Sequence, residues 1–213
     1  LLLTAPNQSD WYKNLCNNDD LWHKNVFETY PSIIAHEYWR LYDLLSKGQT
    51  YGVYLKIKDM FEVLLKFSVL ITASIIYNKR ERSEEENRVL IAFMERWLPL
   101  GAWEIIAQTM CKKIHLSEII QSILEDIVVI FDQYAIRIWR NKNIGHGALA
   151  FDDDIEFQAD IENKLRLLKA HFFNCDKAYT ELIFFTRDNN DQKLFLHGKN
   201  MARNLICHAS EIY

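Results

Sequence analysis

Residues 50–78 read TYGVYLKIKDMFEVLLKFSVLITASIIYN, and this stretch decides the fold. At helical spacing its apolar side chains cover much of the circumference, among them Ile57, Phe61, Leu64 and Val69. A helix that is apolar on so many faces needs other elements around it. The stretch therefore predicts a long helix in the middle of a helical bundle.

The same stretch bears on whether the chain enters a membrane. Its longest apolar run covers residues 67–77 and contains two Ser and one Thr. A helix that spans a bilayer needs about 20 consecutive apolar residues. We therefore expect a soluble protein with no membrane partner.

The composition of the 213 residues excludes several classes of protein. Hydrophobic residues make up 49% of the chain, which is too many for a disordered protein. Six Gly and three Pro are too few for a collagen-like, linker-rich or many-stranded β protein. The net charge of −4 and the pI near 6.0 exclude non-specific coating of nucleic acid, but they leave room for a local basic site.

The four cysteines, Cys16, Cys111, Cys175 and Cys207, lie far apart and form no C-x-x-C pair. This spacing is typical of free thiols in a reducing compartment, so we expect the protein in the cytoplasm, and disulfide pairing in an extracellular protein stays open as the alternative. The seven His and four Cys also never fall into a standard zinc-ligand spacing. The sequence therefore predicts no metal and no cofactor.

Start and stop signals predict further helices on both sides of the central one. Thr29 is a candidate cap, and Pro31 lies in the first turn of a helix that continues to Gly48. Ser83 and Glu86 have the spacing of a capping box. The later predicted helices cover residues 83–97, 100–113, 117–139 and 155–177.

After residue 177 the apolar spacing changes from helical toward extended. Residues 179–185 and 193–196 are predicted strands, and residues 188–191 are the turn between them. The predicted fold class is all-α, a bundle of five or six helices with a small C-terminal β-hairpin. The predicted domains are an N-terminal extension (1–29), the bundle (30–177), and the hairpin or start of a further domain (178–213).

Residues able to do chemistry concentrate in one segment, residues 137–147, which reads RIWRNKNIGHG. His146 can accept or donate a proton near neutral pH, and Arg140 can bind a phosphate through two hydrogen-bond donors. The Asn141 amide can orient the imidazole or bind a phosphate oxygen. Such a set suits attack of a ribose 2′-hydroxyl on its neighbouring phosphate, with no metal needed.

The same segment also has a purely structural interpretation. Asn143 and Gly145 can end a helix, while Arg140 and Lys142 complement its dipole. On an unbroken helix Arg140 and His146 are separated by about 240° and do not share a face. A break at the glycines, or a second chain across a two-fold axis, would be needed to bring them together.

Residues 140–147, RNKNIGHG, resemble the Arg-x(4–6)-His signature of the HEPN superfamily (higher eukaryotes and prokaryotes nucleotide-binding). The resemblance implies an all-α HEPN-like bundle with this motif late in the domain, and a homodimer in which two motifs meet. It implies a metal-independent endoribonuclease that cleaves RNA, with tRNA as a candidate, in an anti-phage defence or toxin system. The catalytic residues would be Arg140, Asn141 and His146, and the substrate-binding residues Arg137, Lys142 and Asn143.

Other functions stay open at this point. A non-catalytic HEPN-like module that dimerises, or that senses a ligand for a partner domain beyond Tyr213, fits the same residues. A plain helical scaffold also fits them. A second Arg-Asn-x(3)-His match, from Arg203 to His208, is a rival site if the assigned order of helices is wrong.

Acidic residues add two further questions. Asp59, Glu62 and Lys66 lie on one predicted helix, where Glu62 and Lys66 are spaced for an exposed ion pair. Alternatively, Asp59 or Glu62 faces the Arg140 cluster inside the bundle. Residues 152–154, three consecutive Asp, fit a solvated helix cap better than a magnesium site, because three adjacent carboxylates do not easily face one ion.

Overall fold

The structure, a computed structural model, describes residues 20–94, 98–143, 154–182, 185–187, 193–199 and 203–205. This part of the chain is mainly helical, which confirms the all-α character. Its eight helices are α1 (Asp20–Thr29), α2 (Ser32–Ser46), α3 (Thr50–Tyr77), α4 (Glu84–Ala92), α5 (Leu100–Lys113), α6 (Glu118–Gln133), α7 (Ile136–Asn143) and α8 (Asp154–Glu181). Three short strands follow them: β1 (Phe185–Arg187), β2 (Lys193–Leu196) and β3 (Arg203–Leu205).

The chain divides into two compact units, residues 1–56 with 184–213, and residues 57–183. The first unit contains α1, α2, the first residues of α3 and the three strands. The strands form an antiparallel sheet in the order β1-β2-β3, in which Phe195 lies opposite Phe185 and Asn204. The predicted division into three domains stays a prediction.

The second unit contains the remainder of α3 and helices α4 to α8. Within it α6 packs against α5, α7 and α8. The ring of Phe61 on α3 meets Phe131 and Trp139 edge-on, at centroid distances of 6.4 and 6.2 Å. The ring of Phe67 lies 6.3 Å from that of Tyr179 on α8. These contacts make α3 the core helix of the second unit.

Among the described helices, α3 alone is long and apolar enough to cross a membrane by length and composition. The core helix of a soluble protein passes the same test, so the finding is weak evidence for a membrane span. In α3, 56% of the most apolar window is buried inside the protein. Leu55 and Leu70 are about half exposed, so part of its apolar surface is not covered.

The predicted cap of the first long helix is wrong. Thr29 ends α1, and its hydroxyl donates to the carbonyl of Asn25 at 2.7 Å. α2 begins at Ser32 after Pro31, which makes no side-chain capping bond. The hydroxyl of Thr29 is turned back into the helix that it ends, so it is not available to α2.

The end of the last helix also differs from the prediction. α8 continues to Glu181, where a strand was predicted from residue 179. Tyr179 is fully buried and lies eight residues after the buried His171, a separation that returns to the same face of a helix. Tertiary packing therefore extends the helix past the point where the local pattern changes.

The predicted helix over residues 117–139 is broken. α6 ends at Gln133 and α7 begins at Ile136, with Ala135 in a left-handed conformation at φ 47°. The sequence has no Gly or Pro at this point to indicate a break. The break and the short helix α1 raise the number of helices in the described residues to eight, above the expected five or six.

The capping box predicted at α4 is present. The backbone N–H of Ser83 donates to the Glu86 carboxylate at 2.8 Å, and the Glu86 N–H donates to the Ser83 hydroxyl at 3.1 Å. Lys79 also donates to Glu86. Hydrogen bonds from Lys79 and Ser83 hold the pKa of Glu86 below its ordinary value, although burial opposes this shift.

Ala135→Gly is expected to stabilise the protein by about 0.5–1 kcal/mol. A left-handed conformation costs an L-residue roughly 1–2 kcal/mol, and glycine avoids that cost while its unfolded state gains some entropy. Urea unfolding followed by circular dichroism measures the difference. The matched control is Ala170→Gly, at an exposed position inside α8, which should destabilise by about 1 kcal/mol. Destabilisation by Ala135→Gly would contradict the left-handed break.

Glu86→Gln is expected to destabilise the protein in a pH-dependent way. The folded pKa of Glu86 is lowered, so its charge stabilises the fold at neutral pH, and this contribution disappears as the pH falls through the folded pKa. The difference in unfolding free energy between wild type and variant should therefore shrink below the ordinary pKa of 4.5. Glu81→Gln, at an exposed position, should show only a small effect at every pH.

Candidate functional site

Three basic residues and no acidic residue lie on the short helix α7. Arg140 lies in its last turn, where a cation also complements the helix dipole. Its Nε donates to the Glu62 carboxylate at 3.3 Å, and its Nη1 donates to the Asn141 side-chain oxygen at 3.0 Å. The Arg140 side chain is 34% exposed, so a guanidinium held on two sides still faces solvent.

Glu62 also lies close to two lysines. Its carboxylate also pairs with Lys66 at 3.0 Å and lies 3.8 Å from the Nζ of Lys58. Three cations, Arg140, Lys66 and Lys58, therefore face the two carboxylates of Glu62 and Asp59, and the excess positive charge leaves the surface around Arg140 attractive for an anion. Both predicted contacts of Glu62, the ion pair with Lys66 and the approach to Arg140, are therefore present, while Asp59 pairs with Lys58 at 2.8 Å.

The other predicted site residues lie in different surroundings. The Nε of Arg137 donates to Glu104 on α5 at 2.8 Å, so its charge is paired away from Arg140. Lys142 is exposed and makes no ion pair with another described residue, and Asn143 is half-buried at the end of α7. Arg140 and Asn141 are thus the two predicted catalytic residues that the described chain brings together. His146 lies outside the described residues, as do residues 152 and 153.

The position of Arg140 depends on its neighbour Trp139, which is 8% exposed. The indole N–H of Trp139 donates to Asp160 at 2.7 Å, and Lys164 donates to the same carboxylate at 2.9 Å. The Lys164 ammonium also lies 5.2 Å from the centre of the Trp139 ring. The buried indole therefore fixes α7 to α8, which determines where the next residue can point.

The rival motif near the C-terminal end of the chain lies in a strand. Arg203 and Asn204 belong to β3, where their backbones lie opposite Leu196 and Phe195 of β2. His208 lies outside the described residues. The described half of this motif is therefore extended rather than helical.

A second polar cluster, which the sequence analysis missed, is centred on His171 of α8. The imidazole is 0% exposed, with Nδ1 2.6 Å from the Asp126 carboxylate on α6 and Nε2 2.7 Å from the Tyr179 hydroxyl. The Asn174 amide donates to the other oxygen of Asp126 at 2.7 Å. Cys175 completes this His171 cluster, with Sγ 3.9 Å from Nδ1.

The surroundings of the His171 cluster shift the pKa values of two members. Burial alone would raise the pKa of Asp126, but hydrogen bonds from His171 and Asn174 lower it below its ordinary value. Burial and the nearby Asp126 charge raise the pKa of the Cys175 thiol to about 12. Asp126 is therefore a carboxylate that accepts from Nδ1–H, and Cys175 is a thiol at neutral pH.

The His171 cluster cannot act on a large substrate directly, because His171 and Tyr179 are both completely buried. One signal in the sequence could have found part of it. His171, Cys175 and Tyr179 recur every four residues on the predicted last helix, which places them along one face. The partner on α6, Asp126, gives no such signal.

Comparison with protein-family models, with curated proteins and with solved structures finds no match to this chain.

Tyr179→Phe is expected to lower the unfolding free energy by about 1–3 kcal/mol, because it leaves a nitrogen of a buried imidazole without its partner. Chemical denaturation measures the effect. Tyr77→Phe is the matched control. Tyr77 is 69% exposed, so loss of its hydroxyl should change the unfolding free energy by no more than about 0.5 kcal/mol. Equal effects of the two variants would show that the Tyr179 hydroxyl does not satisfy His171.

Proposed function

We propose that this chain is a metal-independent endoribonuclease of the HEPN type that cleaves RNA, with tRNA as the first substrate to test. The observation that carries the proposal is the Arg140 guanidinium, which is fixed by Glu62 and Asn141 and still reaches solvent. A guanidinium fixed in this way is suited to bind a phosphate whose charge increases during reaction.

Each residue of the motif has a defined role in this reaction. His146 takes the proton of the ribose 2′-hydroxyl, whose oxygen attacks the neighbouring phosphorus. Arg140 stabilises the charge on the phosphate oxygens, and Asn141 holds Nη1 of Arg140 in place. The 5′-oxygen leaves with a proton from an imidazolium, so the products are a 2′,3′-cyclic phosphate and a 5′-hydroxyl.

The surrounding cations contribute to binding of the RNA backbone. Lys142 is exposed at the end of α7, next to the half-buried Asn143, and binds a second phosphate. Arg137 adds less, because Glu104 already pairs with its guanidinium. A homodimer that joins two motifs supplies a second His146, and this arrangement is part of the proposal, as is a role in anti-phage defence or as a toxin.

The alternative is a non-catalytic HEPN-like module for dimerisation or ligand sensing. The ion pair of Arg140 with Glu62, together with its position at a helix C-terminus, gives Arg140 a structural role that requires no reaction. In this case the chain binds a partner or ligand and leaves RNA intact.

Cleavage of total tRNA in EDTA tests the proposal. Wild type should cleave tRNA. Arg140→Lys should reduce the cleavage rate by about 10²–10³-fold, because lysine keeps the positive charge but cannot donate two parallel N–H bonds to a phosphate. His146→Ala should reduce it by about 10²–10⁴. The matched controls are Arg88→Lys and His115→Ala, which change the same residue types at exposed positions outside the cluster and should cleave like wild type.

Circular dichroism of each variant separates loss of activity from loss of fold. Cleavage that survives in His146→Ala would contradict the assigned site and point to contamination or to the Arg203–His208 segment. If folded wild type does not cleave, the non-catalytic module is the better account. Analytical ultracentrifugation of wild type tests the dimer separately.

A further inference from the structure

We propose that Asp126, His171 and Cys175 form a binding site for one divalent transition-metal ion of the zinc type. The oxygen, nitrogen and sulfur atoms that they offer all lie within 4.8 Å of one another. A mixed set of carboxylate, imidazole and thiol suits zinc, because magnesium and calcium take oxygen ligands instead.

All three side chains of the proposed site lie on two helices that pack against each other. His171 and Cys175 are four residues apart on α8, so both point from one face of the helix. Asp126 reaches them from α6, the helix that packs against α8. A metal ion here would join two long helices of the second unit by three protein ligands.

Two of the three distances between ligand atoms can be compared with those that a tetrahedral ion requires. Bonds of about 2.0–2.3 Å from zinc place two ligand atoms roughly 3.3–3.7 Å apart. The Cys175 Sγ to His171 Nδ1 distance of 3.9 Å is slightly longer than this range. The Asp126 to His171 distance of 2.6 Å is that of a hydrogen bond, and it must widen by roughly 0.7 Å.

Asp126 is the member that can make this adjustment. Its side chain is 21% exposed, whereas that of His171 is 0% exposed and Cys175 is almost completely buried. The exposed edge at Asp126 gives an ion a route from solvent and leaves a position for water as the fourth ligand. Three protein ligands and one water are a common arrangement for zinc.

Tyr179 allows the imidazole to change its protonated nitrogen when the ion binds. Without metal, Nδ1–H donates to Asp126 and Nε2 accepts from the Tyr179 hydroxyl. With metal, Nδ1 coordinates the ion and the proton moves to Nε2, from which it is donated to the Tyr179 oxygen. The Cys175 thiol loses its proton to solvent, so one proton is released for each ion bound.

The charges of the bound site balance. The thiolate and the Asp126 carboxylate together carry two negative charges, which a divalent ion neutralises. Burial without the ion disfavours the thiolate, and the positive charge of the ion removes this cost. The surrounding chain then encloses a neutral unit, with the second ring nitrogen satisfied by Tyr179.

Titration with Co²⁺ followed by absorption spectroscopy tests the site in the full chain. Wild type should bind one equivalent and show a thiolate-to-cobalt charge-transfer band, and zinc should displace the cobalt. Cys175→Ser should lose the band and at least about 100-fold in affinity, whereas Tyr179→Phe should lose about 10–100-fold and keep the band. Cys111→Ser, which removes a thiol outside the cluster, is the matched control and should behave like wild type.

The result that overturns the proposal is wild type that binds no stoichiometric Co²⁺ or Zn²⁺, or a band that persists in Cys175→Ser. If Cys175→Ser does not fold, Asp126→Asn replaces it, because the partly exposed amide keeps an acceptor for His171 and removes the charged ligand. Asp126→Asn that binds zinc as tightly as wild type would also overturn the site.

Discussion

Burial of the apolar side chains of α3 is the constraint on which the second unit depends. The rings of Phe61 and Phe67 are in contact with residues of α6, α7 and α8, so packing against α3 helps to position all three helices. Burying a side chain of this size contributes about 1.5–3 kcal/mol, more than any single surface ion pair. The polar clusters are therefore positioned by apolar packing, and their hydrogen bonds refine positions that the core has already determined.

The left-handed residue Ala135 lies between α6 and α7, a few residues before the Arg140 cluster. It separates α6 from α7, on which Trp139 is buried in the core and Arg140 is partly exposed beside Glu62. The local strain is offset by the buried indole, which bonds to Asp160 and meets the ring of Phe61.

Features determined by local chemistry were predictable from the sequence. The bounds of α5 follow from Pro99 before it and its basic last turn, and the capping box of α4 follows from Ser83 and Glu86 alone. The Ala135 break was not predictable, because no residue near it favours a break and the gain comes from distant packing. Glu62 lies 78 residues before Arg140, and the sequence offered their contact only as one of two alternatives.

The two polar clusters differ in access to water, and this difference separates what each can do. Arg140 is held by partners on two sides and reaches solvent on another, which suits a large anion that must enter and leave. The imidazole of His171 is completely buried beside the rings of Tyr179 and Phe172, and its partner Asp126 is partly exposed, which suits a small ion. The described hydrogen bonds and ion pairs do not join the two clusters, so the two proposals are independent: on the first, loss of Arg140 acts on phosphate binding, and on the second, loss of the metal acts on stability.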